Sequence, residues 1–213
     1  MRSSKALEML EEGLIEELKE LLREEIYMES LRKKTGAKPR YSAMKKYFGY
    51  VKSSRAICQK PAIVEFEGET VYSFCNSYSI ALTKESCGFI ELFTEDDGTY
   101  PNVSRLLRRD GSAVKIDLKP AIAEAKSKGY KLTKTEVNGG KFMLLYNGAY
   151  YRMGLLDATY SIIDDGGELT VYHSGEQFSS MTIENSIGVC MVLPIKCDEE
   201  SVRNDGITVI NLV

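Results

Sequence analysis

A cluster of basic residues between positions 37 and 60 is the strongest chemical signal in this sequence. It contains seven basic residues and no acidic one: Lys38, Arg40, Lys45, Lys46, Lys52, Arg55 and Lys60. The whole chain has 28 basic and 31 acidic residues, a formal net charge of −3 at pH 7. A basic block inside an acidic protein creates a local positive field. Such a block binds phosphates without reading a nucleic-acid sequence, although a solvated face with no ligand has the same composition.

The residues that usually carry catalysis are sparse. His173 is the only histidine of the chain, and we find no Gly-x-Ser-x-Gly motif, phosphate-binding loop or paired-carboxylate motif. The five cysteines include no Cys-x-x-Cys pair, which argues against a zinc site and a disulfide framework. We therefore predict a protein that is not an enzyme, holds no metal and no cofactor, and keeps reduced thiols in the cytoplasm.

The composition is that of a folded globular chain. Its 213 residues are 43% hydrophobic and 28% charged, which excludes disordered and fibrous classes. No apolar run approaches the roughly 20 residues that a membrane helix needs, and the first residues lack the apolar core of a signal peptide. We predict no membrane partner.

A long amphipathic helix is predicted before the basic cluster, over residues 5–34. Leucine and methionine recur there at heptad spacing, and glutamates fill the outer face. Gly36 and Pro39 mark its end. We call residues 1–36 the N-terminal arm. Its apolar stripe must be buried on the chain's own body or on a partner helix, and self-association through it would produce a homo-oligomer.

The rest of the chain alternates between helical and strand periodicity. Helices are predicted over 41–54, 118–128 and 151–163. Strands are predicted over 62–67, 70–74, 78–83, 89–93, 130–137, 141–146, 168–173, 179–184, 187–195 and 207–213. This order predicts an α+β fold, with antiparallel sheets that carry their helices on one face. We expect one domain over 37–200, made of two similar halves (37–110 and 111–200), and a C-terminal tail or edge strand over 201–213.

Residues 153–163, 168–172 and 188–196 read Met-Gly-Leu-Leu-Asp-Ala-Thr-Tyr-Ser-Ile-Ile, Glu-Leu-Thr-Val-Tyr and Gly-Val-Cys-Met-Val-Leu-Pro-Ile-Lys. They resemble the last helix and strands of the sliding-clamp family, the beta subunit of bacterial DNA polymerase III, and two further runs are also similar to that family. The run Thr99-Tyr-Pro-Asn-Val-Ser-Arg-Leu-Leu107 is similar to the Phe-Pro-Asp-Tyr segment that joins clamp domains. The run Cys75-Asn-Ser-Tyr-Ser-Ile-Ala-Leu82 lies where the family has Thr-Asp-Gly-(His/Tyr)-Arg-Leu-Ala.

The sequence also departs from that family. A bacterial clamp chain has three such domains, whereas this body has room for about one domain and a fraction. The Thr-Asp-Gly triplet is replaced by Cys75-Asn76-Ser77, and the N-terminal arm has no counterpart. The resemblance therefore implies a DNA-clamp-like fold in a short, divergent chain.

The resemblance implies that helices face duplex DNA and that sheets form the outer shell. Basic side chains on those helices would neutralise phosphates, as sliding along DNA requires. Carried onto this sequence, the DNA-binding residues are Lys38, Arg40, Lys45, Lys46, Lys52, Arg55, Lys115, Lys119, Lys126 and Lys128. Arg105, Arg108 and Arg109 would add to them.

The resemblance also implies that replication or repair proteins dock a short peptide in an apolar pocket. The residues that would line it are Tyr78, Ile80, Leu193, Pro194 and Ile195. Ordinary core residues at alternating strand positions have the same pattern. The alternative is a structural or regulatory protein-interaction module with no DNA binding, which uses the N-terminal amphipathic helix.

The role of the N-terminal arm is testable by deletion. If this stripe joins two chains, removal of residues 1–36 lowers the number of copies per particle. Light scattering of the full chain and of the shortened chain measures that number. An unchanged number of copies would remove this role from the arm.

Overall fold

The computed structural model describes residues 61–84, 94–95, 100–131 and 141–212, with six separate positions: Glu11, Leu14, Ile15, Ala43, Lys46 and Tyr47. Contacts divide the chain into two units, Met1–Ser42 and Ala43–Val213. In the first unit Glu11 and Ile15 are helical, Leu14 is not, and all three are exposed. The rest of the N-terminal arm lies outside the described residues, so the long helix predicted there gains no support.

The second unit combines strands with short helices. Its strands are β1 Ala62–Phe66, β2 Glu69–Asn76, β3 Ser79–Thr83, β4 Thr94–Glu95, β5 Ser112–Lys115, β6 Phe142–Tyr146, β7 Ala149–Arg152, β8 Thr170–His173, β9 Met181–Glu184, β10 Gly188–Val192 and β11 Thr208–Asn211. Its helices are α1 Val103–Leu106, α2 Lys119–Ser127, α3 Met153–Ile163 and α4 Glu199–Asn204. Ala43, Lys46 and Tyr47 are also helical. In this described part, no helix has the length and apolar character that a membrane crossing requires.

Eight strands form the larger sheet, in the order β4-β1-β2-β3-β10-β9-β8-β5. Neighbouring strands are antiparallel, except that β1 and β4 run parallel. The α+β class and the antiparallel sheets predicted from the sequence are therefore confirmed.

The order of the larger sheet is symmetric about its central β3–β10 pair. On one side lie β3, β2 and β1, and on the other lie β10, β9 and β8. Each side is a run of three consecutive antiparallel strands with helical residues before it, around Tyr47 in one case and in α3 in the other. The outermost strands break the symmetry, because β4 is parallel to its neighbour and β5 is antiparallel.

One face of the larger sheet packs on α3. This helix contacts β3 and β10, and it also contacts β6 and β7. Every residue of α3 except Ser161 is buried, which is the pattern of a helix inside a core rather than on a surface. The helix therefore holds the two sheets together.

Asn76 links the helical residues to the larger sheet at the β2–β3 turn. Its Oδ1 accepts hydrogen bonds from the N–H groups of Tyr78 (2.8 Å) and Ser79 (2.9 Å). Its Nδ2 donates to the Tyr47 hydroxyl at 3.0 Å and to Ser79 Oγ at 2.9 Å. On α3, the Thr159 hydroxyl donates to the same Ser79 Oγ at 3.0 Å. Because Asn76 is buried, these four bonds replace all those that water would supply.

Three strands form the smaller sheet, in the order β11-β6-β7. The β6–β7 turn is Asn147-Gly148, whose φ angles are both positive, 46° and 78°. Positive φ at both central residues is typical of a type I′ hairpin, and Asn-Gly is its preferred pair. This turn was not predicted from the sequence, and the helix was expected to begin at residue 151. Residues 151–152 instead complete the β6–β7 ladder, and α3 starts at Met153.

The remaining predicted helices and strands agree with the structure to different degrees. The helix predicted over 118–128 forms α2, with Pro120 in its first turn. The C-terminal run forms β11, but β11 pairs in parallel with β6, which the antiparallel prediction did not include. The helix α4 was not predicted. The elements predicted over 41–54, 89–93 and 130–137 lie wholly or mostly outside the described residues.

The Asn76 network predicts a large loss of stability on truncation. Asn76→Ala should lower the free energy of unfolding by about 2 to 4 kcal/mol, because buried donors and acceptors lose their partners. The matched control is Asn204→Ala on exposed α4, for which we expect a change within about 0.5 kcal/mol. Urea denaturation measures both. Equal effects of the two substitutions would contradict the network's importance.

Candidate functional site

Residues 100–110, here called the connector, cross the face of the larger sheet opposite α3. Val103 and Leu107 are buried there. They join a cluster of strand side chains: Ala62, Val64, Phe66, Val71, Cys75, Ile80, Leu82, Val189 and Met191. The Tyr100 hydroxyl donates to Ser73 Oγ at 3.1 Å. The connector is thus packed on the sheet and forms a fixed wall of the space beside it.

Arg109 anchors the end of the connector. Its guanidinium binds Glu184 through Nε–Oε2 (2.7 Å) and Nη2–Oε1 (2.9 Å), and Glu67 through Nη1–Oε1 (2.5 Å). Hydrogen bonds to Glu184 and Glu67 raise the pKa of Arg109, and the bond from Arg109 lowers the pKa of Glu67. Two carboxylates therefore neutralise Arg109 within the protein, and this residue serves the connector rather than an external phosphate.

A cavity of about 630 Å³ opens beside the connector. Its walls are the β2–β3 turn, the connector, the loop of residues 174–180 and the chain that follows β10. The apolar part of the lining consists of Tyr78, Ile80, Leu106, Phe178, Met191 and Leu193. Ligand sites typically measure about 300–1,000 Å³ and are mostly apolar. We call this space the connector cavity.

The second unit exposes five large apolar side chains among its described residues, and four of them line the connector cavity. The exposed fractions are 49% for Tyr78, 45% for Leu106, 58% for Phe178 and 37% for Leu193. The fifth, Val114, lies on β5 outside the cavity. Single exposed apolar residues are ordinary on protein surfaces, but a concentration of them at one depression is typical of an interaction site.

Charged side chains of both signs surround the apolar part of the cavity. Arg105, Arg108 and Asp110 come from the connector, and Glu176 comes from the loop of residues 174–180. All four are exposed. Exposed charges at a rim contribute to orientation and specificity more than to affinity.

The loop of residues 174–180, here called the cavity loop, is held by His173 at the end of β8. His173 Nδ1 accepts a hydrogen bond from Gly175 N–H at 2.9 Å, and Nε2 lies 2.8 Å from the Tyr151 hydroxyl. That hydroxyl donates to the Ser179 carbonyl at 2.6 Å. The backbone of Gly111 packs closely against His173, since a Cβ there would lie 2.0 Å from the His173 carbonyl oxygen. His173 therefore supports one wall of the connector cavity.

The structure brings together three of the five residues predicted to line a peptide pocket. Tyr78, Ile80 and Leu193 line the connector cavity. Pro194 is not part of this lining, and Ile195 packs in a different apolar cluster, beside Tyr150 of the smaller sheet.

Sequence reasoning missed Leu106 and Phe178, which supply much of the exposed apolar surface. Phe178 is a lone aromatic residue in the polar run Ser-Gly-Glu-Gln-Phe-Ser-Ser. An aromatic residue in a polar loop is a usable signal, because loops carry a disproportionate share of binding residues.

Lys46, predicted to contact DNA, instead pairs inside the protein. Its Nζ lies 2.5 Å from Asp157 Oδ1 on α3, and the Tyr130 hydroxyl donates to Asp157 Oδ2 at 3.2 Å. The Asp157 side chain is only 5% exposed and that of Lys46 26%. Breaking such a buried pair leaves an uncompensated charge, so Lys46 has a structural role here.

Several of the other lysines predicted to bind DNA also have carboxylate neighbours. The pairs are Lys115 with Glu168 (2.6 Å), Lys119 with Asp164 (3.8 Å) and Lys128 with Glu124 (2.6 Å). These pairs are exposed, or half-exposed at Asp164, and pairs so open to water are weak enough for a phosphate to compete with them. Lys126 is exposed on α2. Lys38, Arg40, Lys45, Lys52 and Arg55 lie outside the described residues.

No group of three or more His, Cys, Asp or Glu residues is arranged to hold a metal ion in the part of the chain that the structure describes. Cys75, Cys190 and Cys197 form no disulfide and are buried, and burial raises the pKa of Cys190 and Cys197. High thiol pKa values disfavour the reactive thiolate.

Comparison with known proteins identified no relative. No protein-family model, no curated protein and no solved structure matches this chain.

Proposed function

We propose that this chain is a non-enzymatic, clamp-like module that captures a short apolar peptide of a partner protein in the connector cavity and contacts duplex DNA through its basic cluster. The observation that carries the proposal is the concentration of exposed apolar side chains at one cavity. Tyr78, Leu106, Phe178 and Leu193 are large, exposed and adjacent to one space. They would lose contact with water if apolar peptide side chains filled it.

The arrangement around the cavity favours a peptide over a small polar ligand. Its apolar residues come from separate segments that secondary structure or hydrogen bonds hold in place, so the surface exists before the partner arrives. A preformed surface reduces the entropy that binding must overcome. Polar residues on either side of the apolar part of the peptide would contact the charged side chains at the rim, which are Arg105, Arg108, Asp110 and Glu176.

Two features of the fold support the clamp-like part of the proposal. The first is the symmetric order of the larger sheet, in which two helix-plus-three-strand runs meet at β3 and β10. The second is the connector, whose sequence resembles the segment that joins clamp domains and which packs on the face opposite α3. Because of the same resemblance, we propose replication or repair proteins as the partners.

The DNA-contacting part of the proposal depends mainly on residues 37–60. Six basic residues remain in that stretch when the paired Lys46 is set aside, and with no acidic residue among them they would form a positive field that attracts phosphates. The exposed lysines near α2, among them Lys126, would extend it.

A second candidate is a protein-interaction module without DNA binding, in which the N-terminal arm joins partner chains. The burial of α3 favours it, because a helix that lies inside the core presents no surface to DNA. The pairing of Lys46 with Asp157 favours it too, since that cation is engaged within the protein.

Peptide capture predicts binding that depends on Phe178. Random 12-residue peptides selected by phage display on the full chain should include apolar sequences, with Kd values measured by fluorescence anisotropy. Phe178→Ala should weaken them at least about tenfold, a loss of about 1.4 kcal/mol, because it removes an exposed anchor surface. The matched control is Val114→Ala, an exposed apolar residue outside the cavity, and it should change nothing. Peptides that bind Phe178→Ala and the parent chain with equal affinity would refute the site.

DNA contact predicts steep salt dependence. The affinity for a linear duplex of random sequence should fall as salt rises, with a slope of about 0.9 per phosphate contact. Lys45→Glu with Lys52→Glu should reduce that slope by about 2. Lys46 is left unchanged because of its pair with Asp157. The control, Lys141→Glu with Lys196→Glu, makes the same change in net charge at exposed positions outside the basic cluster. No measurable binding at low salt would favour the second candidate.

A further inference from the structure

The hydrogen bonds around His173 define its protonation state. The Tyr151 hydroxyl donates its proton to the Ser179 carbonyl, so the 2.8 Å contact between that hydroxyl and Nε2 requires a proton on Nε2. Gly175 N–H donates to Nδ1, which therefore carries no proton. The imidazole is the neutral Nε2–H tautomer, and both nitrogens are used.

A second proton on His173 is incompatible with this arrangement. It would bind Nδ1, where it would face the N–H of Gly175, and two donors cannot share one hydrogen bond. The Nε2–H bond to Tyr151 is the same in both protonation states. The change therefore acts on the start of the cavity loop, three residues before Phe178.

The groups that face the imidazole do not compensate an added charge. The Tyr146 and Tyr151 rings of the smaller sheet lie 5.2 and 6.2 Å from it, and on β5 its register partner is the uncharged Ser112. The nearby acids Asp110 and Glu176 are exposed at the cavity rim. His173 is buried, and burial lowers its pKa.

We propose that His173 is a proton-operated latch on the connector cavity: neutral His173 holds the cavity loop in the peptide-binding position, and protonation releases the Gly175 end of that loop. The inference rests on the proposed function of the cavity. The loop supplies Ser174, Glu176, Phe178, Ser179 and Ser180 to the cavity lining. Its release displaces the most exposed apolar anchor, so peptide capture weakens as pH falls.

The titration of the free protein tests the latch directly. His173 is the only histidine, so its imidazole NMR signals need no assignment by mutation. Gly175 amide signals and Phe178 ring signals should shift with the same midpoint as the imidazole, and that midpoint should lie below the ordinary value of about 6.5. The imidazole nitrogens should report the Nε2–H tautomer above the midpoint. Gly175 and Phe178 signals that stay constant while His173 titrates would overturn the proposal.

Variants separate the latch from simple acid effects. His173→Asn keeps an acceptor near the position of Nδ1 but does not titrate, so its cavity loop signals should be independent of pH. Tyr146→Phe keeps the ring beside His173 and should titrate like the parent chain. If His173→Asn does not fold, the titration of the parent chain still decides the question. A pH-dependent Gly175 signal in folded His173→Asn would count against the latch.

The stability of the parent chain should follow the same group. The unfolded chain takes up the proton near pH 6.5, and the folded chain does so only at lower pH. The stabilisation from neutral His173 is therefore fully present above about pH 6.5 and is lost as pH falls through the pKa of His173 in the folded chain. The free energy of unfolding of His173→Asn should not show this part of the decrease at low pH.

The failure of the latch and the failure of peptide capture are distinguishable. A peptide recovered by phage display should bind about fivefold more weakly to the parent chain below the His173 midpoint than at pH 7.5, and equally to His173→Asn at both. If peptides bind and their affinity does not change as His173 is protonated, the latch fails and the proposed function stands. If no peptide is recovered while the loop signals still follow His173, peptide capture fails and the loop release stands.

Discussion

The antiparallel pairing of β3 with β10 is the interaction on which the rest of this structure depends. These strands come from distant parts of the chain, and Ser79–Thr83 lies opposite Gly188–Val192 along their full length. The pair joins two three-strand runs into one sheet and forms the floor on which α3 packs. Asn76 and Thr159 complete this centre with polar contacts, which direct the helical residues to one position as apolar contacts alone would not. Without this pairing, neither the core nor the cavity has a scaffold.

The connector cavity lies at one end of that central pair. Leu193 N–H donates to the Tyr78 carbonyl at 2.9 Å, just beyond the last residues of the β3–β10 ladder. That bond brings the β2–β3 turn beside the chain that leaves β10. The other two walls are fixed by separate polar anchors, Arg109 for the connector and His173 for the cavity loop. The apolar surface is thus presented by rigid supports, one of which carries a titratable group.

Charge has two distinct roles in this chain. Lys46 and Asp157 illustrate the first, since a partly buried cation satisfies a buried acid on α3. The second role, attraction of phosphates, is our proposal for the six other basic residues of positions 37–60, a stretch whose sequence contains no acidic residue. A count of lysines does not distinguish these roles. The distinction requires the position of each partner, because burial decides whether an ion pair is structural or open to competition.

The sequence by itself determined the α+β class, the hairpin around Gly68, the helix α2 and the strands from β8 to β10, because periodicity, turn residues and helix starts act over a few neighbouring positions. The clamp resemblance placed Tyr78, Ile80 and Leu193 in one predicted pocket, and these three residues line the connector cavity. Only the tertiary structure decided that Leu106 and Phe178 join them, that Ile195 does not, and that Lys46 faces Asp157. It likewise set the parallel pairing of β11 and the link from His173 to the cavity loop. These features depend on contacts between residues far apart in the chain, and local patterns carry no information about which distant groups will meet.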